Sequence, residues 1–266
     1  MKKYNWFQKL GHSLVPGEFY IHILQEKMGK AIGYMLLFIL VMSVSVGLYT
    51  GFDSKQNIDL VIRDFEQGVI PPASIVDGQL SIEGDKAITI DYFNTFVVLD
   101  DAFNYDANDV LAYDTYVLFH KDGVSIGSKL AGPAIHYDYS DIIPVDFTGD
   151  DIVTVLHTVS LMVIPIAITT QFILSVFSFF FNSLFILLVG NILRTVSGLG
   201  LKLRQVYHMV IYAMTFSVFW THFITLLPRA VPMWLDNFVF YAIPSMILIS
   251  VFMMIRKRAM DEIEKK

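Results

Sequence analysis

Two long runs of this chain carry no Asp, Glu, Lys or Arg, Ala31 to Tyr49 and Ile152 to Leu193, and the stretch between them is strongly acidic. From residue 50 to residue 152 there are 19 acidic side chains against five basic ones, Lys55, Arg63, Lys86, Lys121 and Lys129. Apart from a short loop around Pro232, the charged segments elsewhere reverse the sign, with 13 Lys or Arg against five Asp or Glu. A bilayer sorts the loops of a spanning protein in this way, with basic residues retained on the cytoplasmic side. The chain is 55% hydrophobic and 17% charged, with mean hydropathy +0.55, more apolar surface than one soluble core of this size encloses. We therefore expect a membrane α-helical protein with an inserted small α+β extracellular domain dominated by antiparallel strands.

Four transmembrane helices are predicted. Residues 1–30 form a cytoplasmic segment in which Tyr4, Trp6, Phe7, Leu10 and Leu14 interleave with Lys2, Lys3 and Lys9, the pattern of an amphipathic helix in the headgroup region or of an ordinary membrane-proximal tail. The first span, 31–49, is long enough to cross a ~30 Å hydrocarbon layer. Ser43, Ser45 and Gly47 imitate a signal-peptide cleavage site, but thirty residues precede the run, more than a secretory n-region has. The membrane domain covers 153–255. Its first part, 153–193, reads as one long helix kinked near Pro165 or as a hairpin of two spans; a single crossing puts Arg194, Lys202 and Arg204 with the other basic clusters. Spans 206–227 and 238–255 follow, and 256–266 is a cytoplasmic tail. The predicted location is the plasma membrane, multi-pass, with both termini cytoplasmic.

In the extracellular domain, 50–152, Ile58, Val61, Ile62 and Phe65 keep helical spacing. Alternation at Leu80 and Ile82 and at Ile88 and Ile90, around Glu83-Gly84-Asp85-Lys86, predicts a hairpin, and Phe96 to Leu99 a further strand. Tyr116 to His120 and Val124 to Ile126 flank Lys121-Asp122-Gly123, where an Asp-Gly step offers the positive φ of a tight turn. Thr148-Gly149-Asp150-Asp151 reads as a helix start.

The motifs Ser13-Leu14-Val15-Pro16, Phe19-Tyr20, Gly29-Lys30-Ala31-Ile32-Gly33-Tyr34, Ile90-Asp91 and Phe119-His120-Lys121-Asp122-Gly123-Val124 resemble an uncharacterised family of integral membrane proteins from Gram-positive bacteria. Some of its members are named for maltodextrin utilisation. The resemblance spans the chain and implies one extracellular domain after the first span, but no catalytic residue. A fainter likeness around Tyr207 to Ala213 is to Yip1-like membrane proteins.

The absence of cysteine excludes disulfides, thiolate nucleophiles and zinc-thiolate or iron–sulfur sites. Catalytic, cofactor-binding and metal residues are not assigned, and no cofactor is expected. His157, His222 and Asp236 form a candidate trio for zinc or proton relay near the outer surface, without a spacing such as HExxH. His208 and His222 lie 14 residues apart on one predicted helix, ~21 Å along its axis, too far to share a metal. Asp100, Asp101, Asp106 and Asp109 suggest calcium, but counted from Asn104 the sixth position is Asp109 and the twelfth Thr115, where an EF-hand has Gly and Glu. No phosphate-binding Gly-rich loop and no G-x-S-x-G occurs, and an acidic domain repels nucleic acid.

The function read from these features is a non-enzymatic accessory or sensor protein that couples an extracellular domain to a membrane partner such as a sugar permease. One alternative is a small oligomeric transporter or channel, with Gln171, Asn182 and Asn191 lining a polar path. A second is a membrane-embedded hydrolase or transferase using His157 and His222. The expected partners are the lipid bilayer and another membrane protein such as a sugar transporter, with a partner or envelope component on the extracellular domain and no nucleic acid; the oligomeric state is open.

Overall fold

The computed structural model describes residues 4–82, 88–92, 95–99, 115–128, 132–142, 146–227 and 231–264. These divide into two units, one formed by Met1–Thr50 with Pro165–Lys266 and one by Gly51–Ile164. The chain is mostly helical, with a smaller β region whose strand pairs are antiparallel except for one.

The helices are α1 (Trp6–Ser13), α2 (Glu18–Ile23), α3 (Met28–Glu66), α4 (Tyr139–Ile142), α5 (Gly149–Ser197), α6 (Leu203–Ala213), α7 (Thr215–Thr225) and α8 (Met233–Glu264). Three of them, α3, α5 and α8, are long and apolar enough to cross a membrane. Large apolar side chains stand exposed along α5, including Leu161 at 73%, Phe177 at 71% and Val196 at 75%. A surface of that kind is stable against lipid and costly in water.

Helix α5 runs unbroken through Pro165, so the turn that a hairpin of two spans requires is absent from it. Helix α3 fuses two elements that the sequence separates, the first span and the helix around Ile58 to Phe65. No proline interrupts residues 50–57, and extending an existing helix costs far less than nucleating a second one. The predicted single helix over 206–227 is instead α6 and α7, each 11 residues, joined through Met214 at φ −75° and ψ −2°. Polar bonds hold the chain just past that joint: Thr215 Oγ1 lies 3.1 Å from the Tyr34 hydroxyl, and Ser217 donates to the Phe240 carbonyl at 2.7 Å.

In the core of the helical unit α1 packs on α2, α2 on α6, and α6 and α7 on α8, and Lys9 of α1 reaches Tyr212 of α6. Tyr20, Ile23, Met209, Ile211, Tyr212 and Leu248 are fully buried. The N-terminal segment thus turns its apolar residues onto protein: Trp6 and Leu10 pack on this core, Phe19 meets Tyr212 edge to face, and Phe7 is left exposed. Asn5 caps α1 in a reciprocal bond with Gln8.

In the other unit, β1 (Ala73–Val76) and β2 (Gln79–Ile82) form a hairpin closed by Asp77 at φ 52° and Gly78 at φ 71°. This Asp-Gly pair makes the two-residue turn that matches strand twist. The hairpin expected between Leu80–Ile82 and Ile88–Ile90 does not form: β2 pairs with β1, and β3 (Ile88–Tyr92) pairs with β4 (Thr95–Leu99). The expected turn Glu83-Gly84-Asp85-Lys86 lies outside the described residues. The five-stranded sheet has the order β3-β4-β5-β6-β7, with β5 (Thr115–Phe119), β6 (Gly123–Ser128) and β7 (Gly132–Asp138). Strands β4 and β5 run parallel. The hairpin expected around Asp122-Gly123 is present, but Gly123 does not adopt positive φ there. A buried cluster of Ala73, Ile75, Leu80, Val124 and Tyr139 links the small sheet to the large one, and Leu80 N–H donates to the Lys121 carbonyl at 2.7 Å. Thr148 caps α5 as its sequence predicts, exchanging bonds with Asp151.

Candidate functional site

The three candidate ligands for zinc or proton relay have separate partners. His157 Nε2 lies 3.6 Å from a Glu66 carboxylate oxygen, with both side chains more than half exposed, an arrangement that contributes little. Asp236 accepts from Trp220 Nε1 at 3.0 Å and so joins α7 to the first turn of α8. His222 is buried and bonds to Ser175 and to its own helix. Among the described residues no group of three His, Asp or Glu side chains is arranged to hold a metal ion. The calcium candidates Asp100, Asp101, Asp106 and Asp109 lie outside the described residues.

Of the polar residues named for α5, Asn182 and Gln171 are engaged by neighbouring groups, whereas the buried Oδ1 of Asn191 has no hydrogen-bond partner among the described residues. Asn182 donates to the Ser178 carbonyl at 2.8 Å and accepts from the Tyr241 hydroxyl. Gln171 donates to Ser175 at 3.3 Å. His208, the other histidine of the predicted third span, meets the Ile23 carbonyl through Nδ1 at 3.2 Å and secures α2 to α6.

Gln171, Ser175 and His222 open onto a cleft of about 190 Å³ in the helical unit. Spacing of four residues puts Gln171 and Ser175 on one face of α5, and Ser178 follows one turn later. Facing them are Val218, Thr221 and His222 of α7, with Leu174, Phe179 and Phe240 as the apolar walls. His222 Nδ1 lies 2.7 Å from the Val218 carbonyl and Nε2 lies 3.1 Å from Ser175 Oγ. A carbonyl oxygen can only accept, so the proton sits on Nδ1 and the Nε2 lone pair faces the serine hydroxyl. His222 is a candidate by sequence, grouped there with His157 and Asp236. Its partner Ser175 lies 47 residues away, on a helix rich in similar hydroxyls, and spacing gives no signal for it.

A second constellation, also missed, lies in the large sheet. Ser125 on β6 and His136 on β7 are register partners. Ser125 Oγ is 2.8 Å from His120 Nε2 and 3.0 Å from His136 Nδ1, and His136 Nε2 is 3.4 Å from an Asp138 oxygen. Gly123 makes room for it: a Cβ there meets His136 Nε2 at 2.7 Å and also strikes the Tyr137 carbonyl. Although this resembles a Ser-His-Asp triad, Ser125 is 8% exposed and its hydroxyl is engaged by two rings, so it joins strands and offers no accessible nucleophile. Nearby, Tyr139 donates to the His120 carbonyl at 3.0 Å, and burial, with the Asp122 charge adding to it, holds its phenol above the usual tyrosine range. Replacing Ser125 with alanine removes a bonding partner from both rings and is expected to cost about 2 kcal/mol of stability. Chemical denaturation of the full chain, read by hydrogen exchange of β6 and β7, measures this; unchanged protection of both strands contradicts the assignment.

A family model described as protein of unknown function (DUF1189) matches residues 7–254, nearly the entire chain. The chain belongs to this family. No curated protein and no solved structure matches it. For the DUF1189 chain, function therefore rests on its own residues and on the surfaces and clefts they form.

Proposed function

We propose that this DUF1189 chain is a multi-pass plasma-membrane protein that crosses four times, with both termini in the cytoplasm and the 51–164 unit outside. Its role is that of an accessory or sensor protein, transmitting the state of that outer unit to another membrane protein. The observation that carries this reading is the alternation of apolar helices, whose large side chains stand exposed, with an acidic, independently cored β-containing unit. The charge partition supports the orientation. The fourth crossing is supported by the 203–225 stretch, which is as long as a span although interrupted at Met214. A sugar permease is the partner suggested by the maltodextrin naming within the family that the sequence resembles. The transporter alternative is weakened by Asn182, whose side chain is occupied by Tyr241 and Ser178.

The native chain contains no cysteine, so single cysteines report position without background. In intact cells, a membrane-impermeant maleimide is expected to label a cysteine placed at position 105 and to leave one at position 266 unreacted until the cells are opened. The reverse pattern overturns the orientation. Cross-linking of the full chain in its membranes, followed by purification, is expected to retain a second integral membrane protein, lost when residues 73–142 are replaced by a flexible linker. Retention of the same protein by the shortened chain removes the coupling role.

A further inference from the structure

We infer that Ser175 and His222 are the nucleophile and general base of an acyl-transfer site, whose substrate is an uncharged amphiphile carrying a carboxylic ester, entering the cleft from the bilayer. This goes beyond the accessory reading and is independent of which side the 51–164 unit faces.

Ser175 departs from the habit of hydroxyls on these helices. Thr169, Thr195, Thr225, Ser245 and Ser250 each donate to a carbonyl four residues earlier in their own helix, which satisfies a hydroxyl in an apolar setting. Ser175 instead faces His222 Nε2 across the interface at 3.1 Å. The Val218 carbonyl fixes the tautomer that leaves that nitrogen able to take a proton. A backbone carbonyl here holds the ring as a carboxylate does in a triad, with less stabilisation of the imidazolium. Gln171 Nε2, 3.3 Å from Ser175 Oγ, is placed to donate to an oxyanion formed on a carbon bonded to that oxygen. Among the described residues no Asp, Glu, Lys or Arg lines the cleft, whose walls are Leu174, Phe179, Val218 and Phe240. Those walls suit an acyl chain beside a neutral ester and leave a phosphate without a counter-charge.

In the first step Ser175 Oγ bonds to the ester carbonyl carbon as its proton passes to His222 Nε2. The resulting oxyanion accepts from Gln171. The adduct collapses by breaking the bond to the alcohol oxygen, which takes the proton from His222 and departs as the free alcohol. The acyl group, now on Ser175, is transferred to water or to a second alcohol by the same sequence, with His222 again accepting and returning one proton.

The test uses the full chain in detergent micelles, an alkyl fluorophosphonate as probe, and mass spectrometry. The expected result is one phosphonyl adduct with loss of fluoride, mapped to Ser175, absent in Ser175→Ala and formed at least tenfold more slowly in His222→Gln. Prior incubation with a dioleoylglycerol is expected to slow labelling of the unaltered protein. Thermal unfolding of each variant separates loss of chemistry from loss of fold, and should either variant fail to fold, adduct mapping and competition on the unaltered chain still decide. An unaltered chain that is not labelled, or is labelled elsewhere, overturns the inference and leaves the Ser175–His222 bond as a contact between helices.

Discussion

Replacing Glu26 with alanine is expected to destabilise the helical unit by about 3 kcal/mol, because it strands a cation in a largely closed pocket. Glu26 and Lys9 form an ion pair with side chains only 16% and 13% exposed, and the Tyr212 hydroxyl bonds to both, donating to Glu26 at 2.7 Å and accepting from Lys9 at 2.9 Å. The ammonium group also sits 5.4 Å from the Tyr212 ring centroid. Removing both charges, as in Lys9→Met with Glu26→Leu, is expected to recover most of the loss, since the pair's attraction mainly offsets its own desolvation.

The same carboxylate makes stability depend on pH. Burial raises its pKa, but the bonds from Lys9 and Tyr212, with the charges of Lys9 and Lys30, outweigh that and hold it below the usual glutamate value. A carboxyl lowered on folding contributes fully above its unfolded pKa of about 4.3, and that contribution disappears as the pH falls through the folded value. Thermal unfolding in detergent is therefore expected to show a decline between about pH 4.5 and the lower folded pKa that is smaller in Glu26→Gln. Equal declines in both proteins contradict the assignment.

A single methyl group at Gly47 is expected to be nearly as damaging, about 2–3 kcal/mol. A Cβ at this position meets Ile168 Cα at 2.6 Å and its backbone nitrogen at 2.8 Å, and backbone atoms cannot rotate aside. Ser43, one turn earlier, is fully buried, so α3 presents a small-residue pair to the close approach of α5, the device by which helices pack in lipid. Gly33 is the internal control. It is exposed with nothing within 4 Å of an added Cβ, so Gly33→Ala is expected to be neutral or slightly stabilising. Comparable losses from the two alanine variants refute the packing argument.

Ser43 and Gly47 also show how far local reading extends. In the sequence they look like a cleavage site's small residues, and the need for a small residue emerges only when Ile168, more than a hundred residues later, lies against Gly47. The two Asp-Gly steps teach a related lesson. Both were visible, but the positive φ is at Gly78, whereas Gly123 is required by the His136 ring. Turn chemistry identifies where a chain reverses and does not say which neighbour will crowd the reversal. The candidate site was legible only in part, since His222 stood out as a histidine in an apolar run while Ser175 was one hydroxyl among many.

The sequence alone established that the chain is built from long apolar helices around an acidic, strand-containing insertion, because hydropathy and charge act through solvent and lipid and need no knowledge of partners. Tertiary structure decided which helices are continuous, which strands pair, and which polar groups meet: Lys9 with Glu26, Ser125 with two histidines, Ser175 with His222. Hydrogen bonds and close packing act over a few ångströms, so they depend on how the backbone returns to itself, which no periodicity along the chain records.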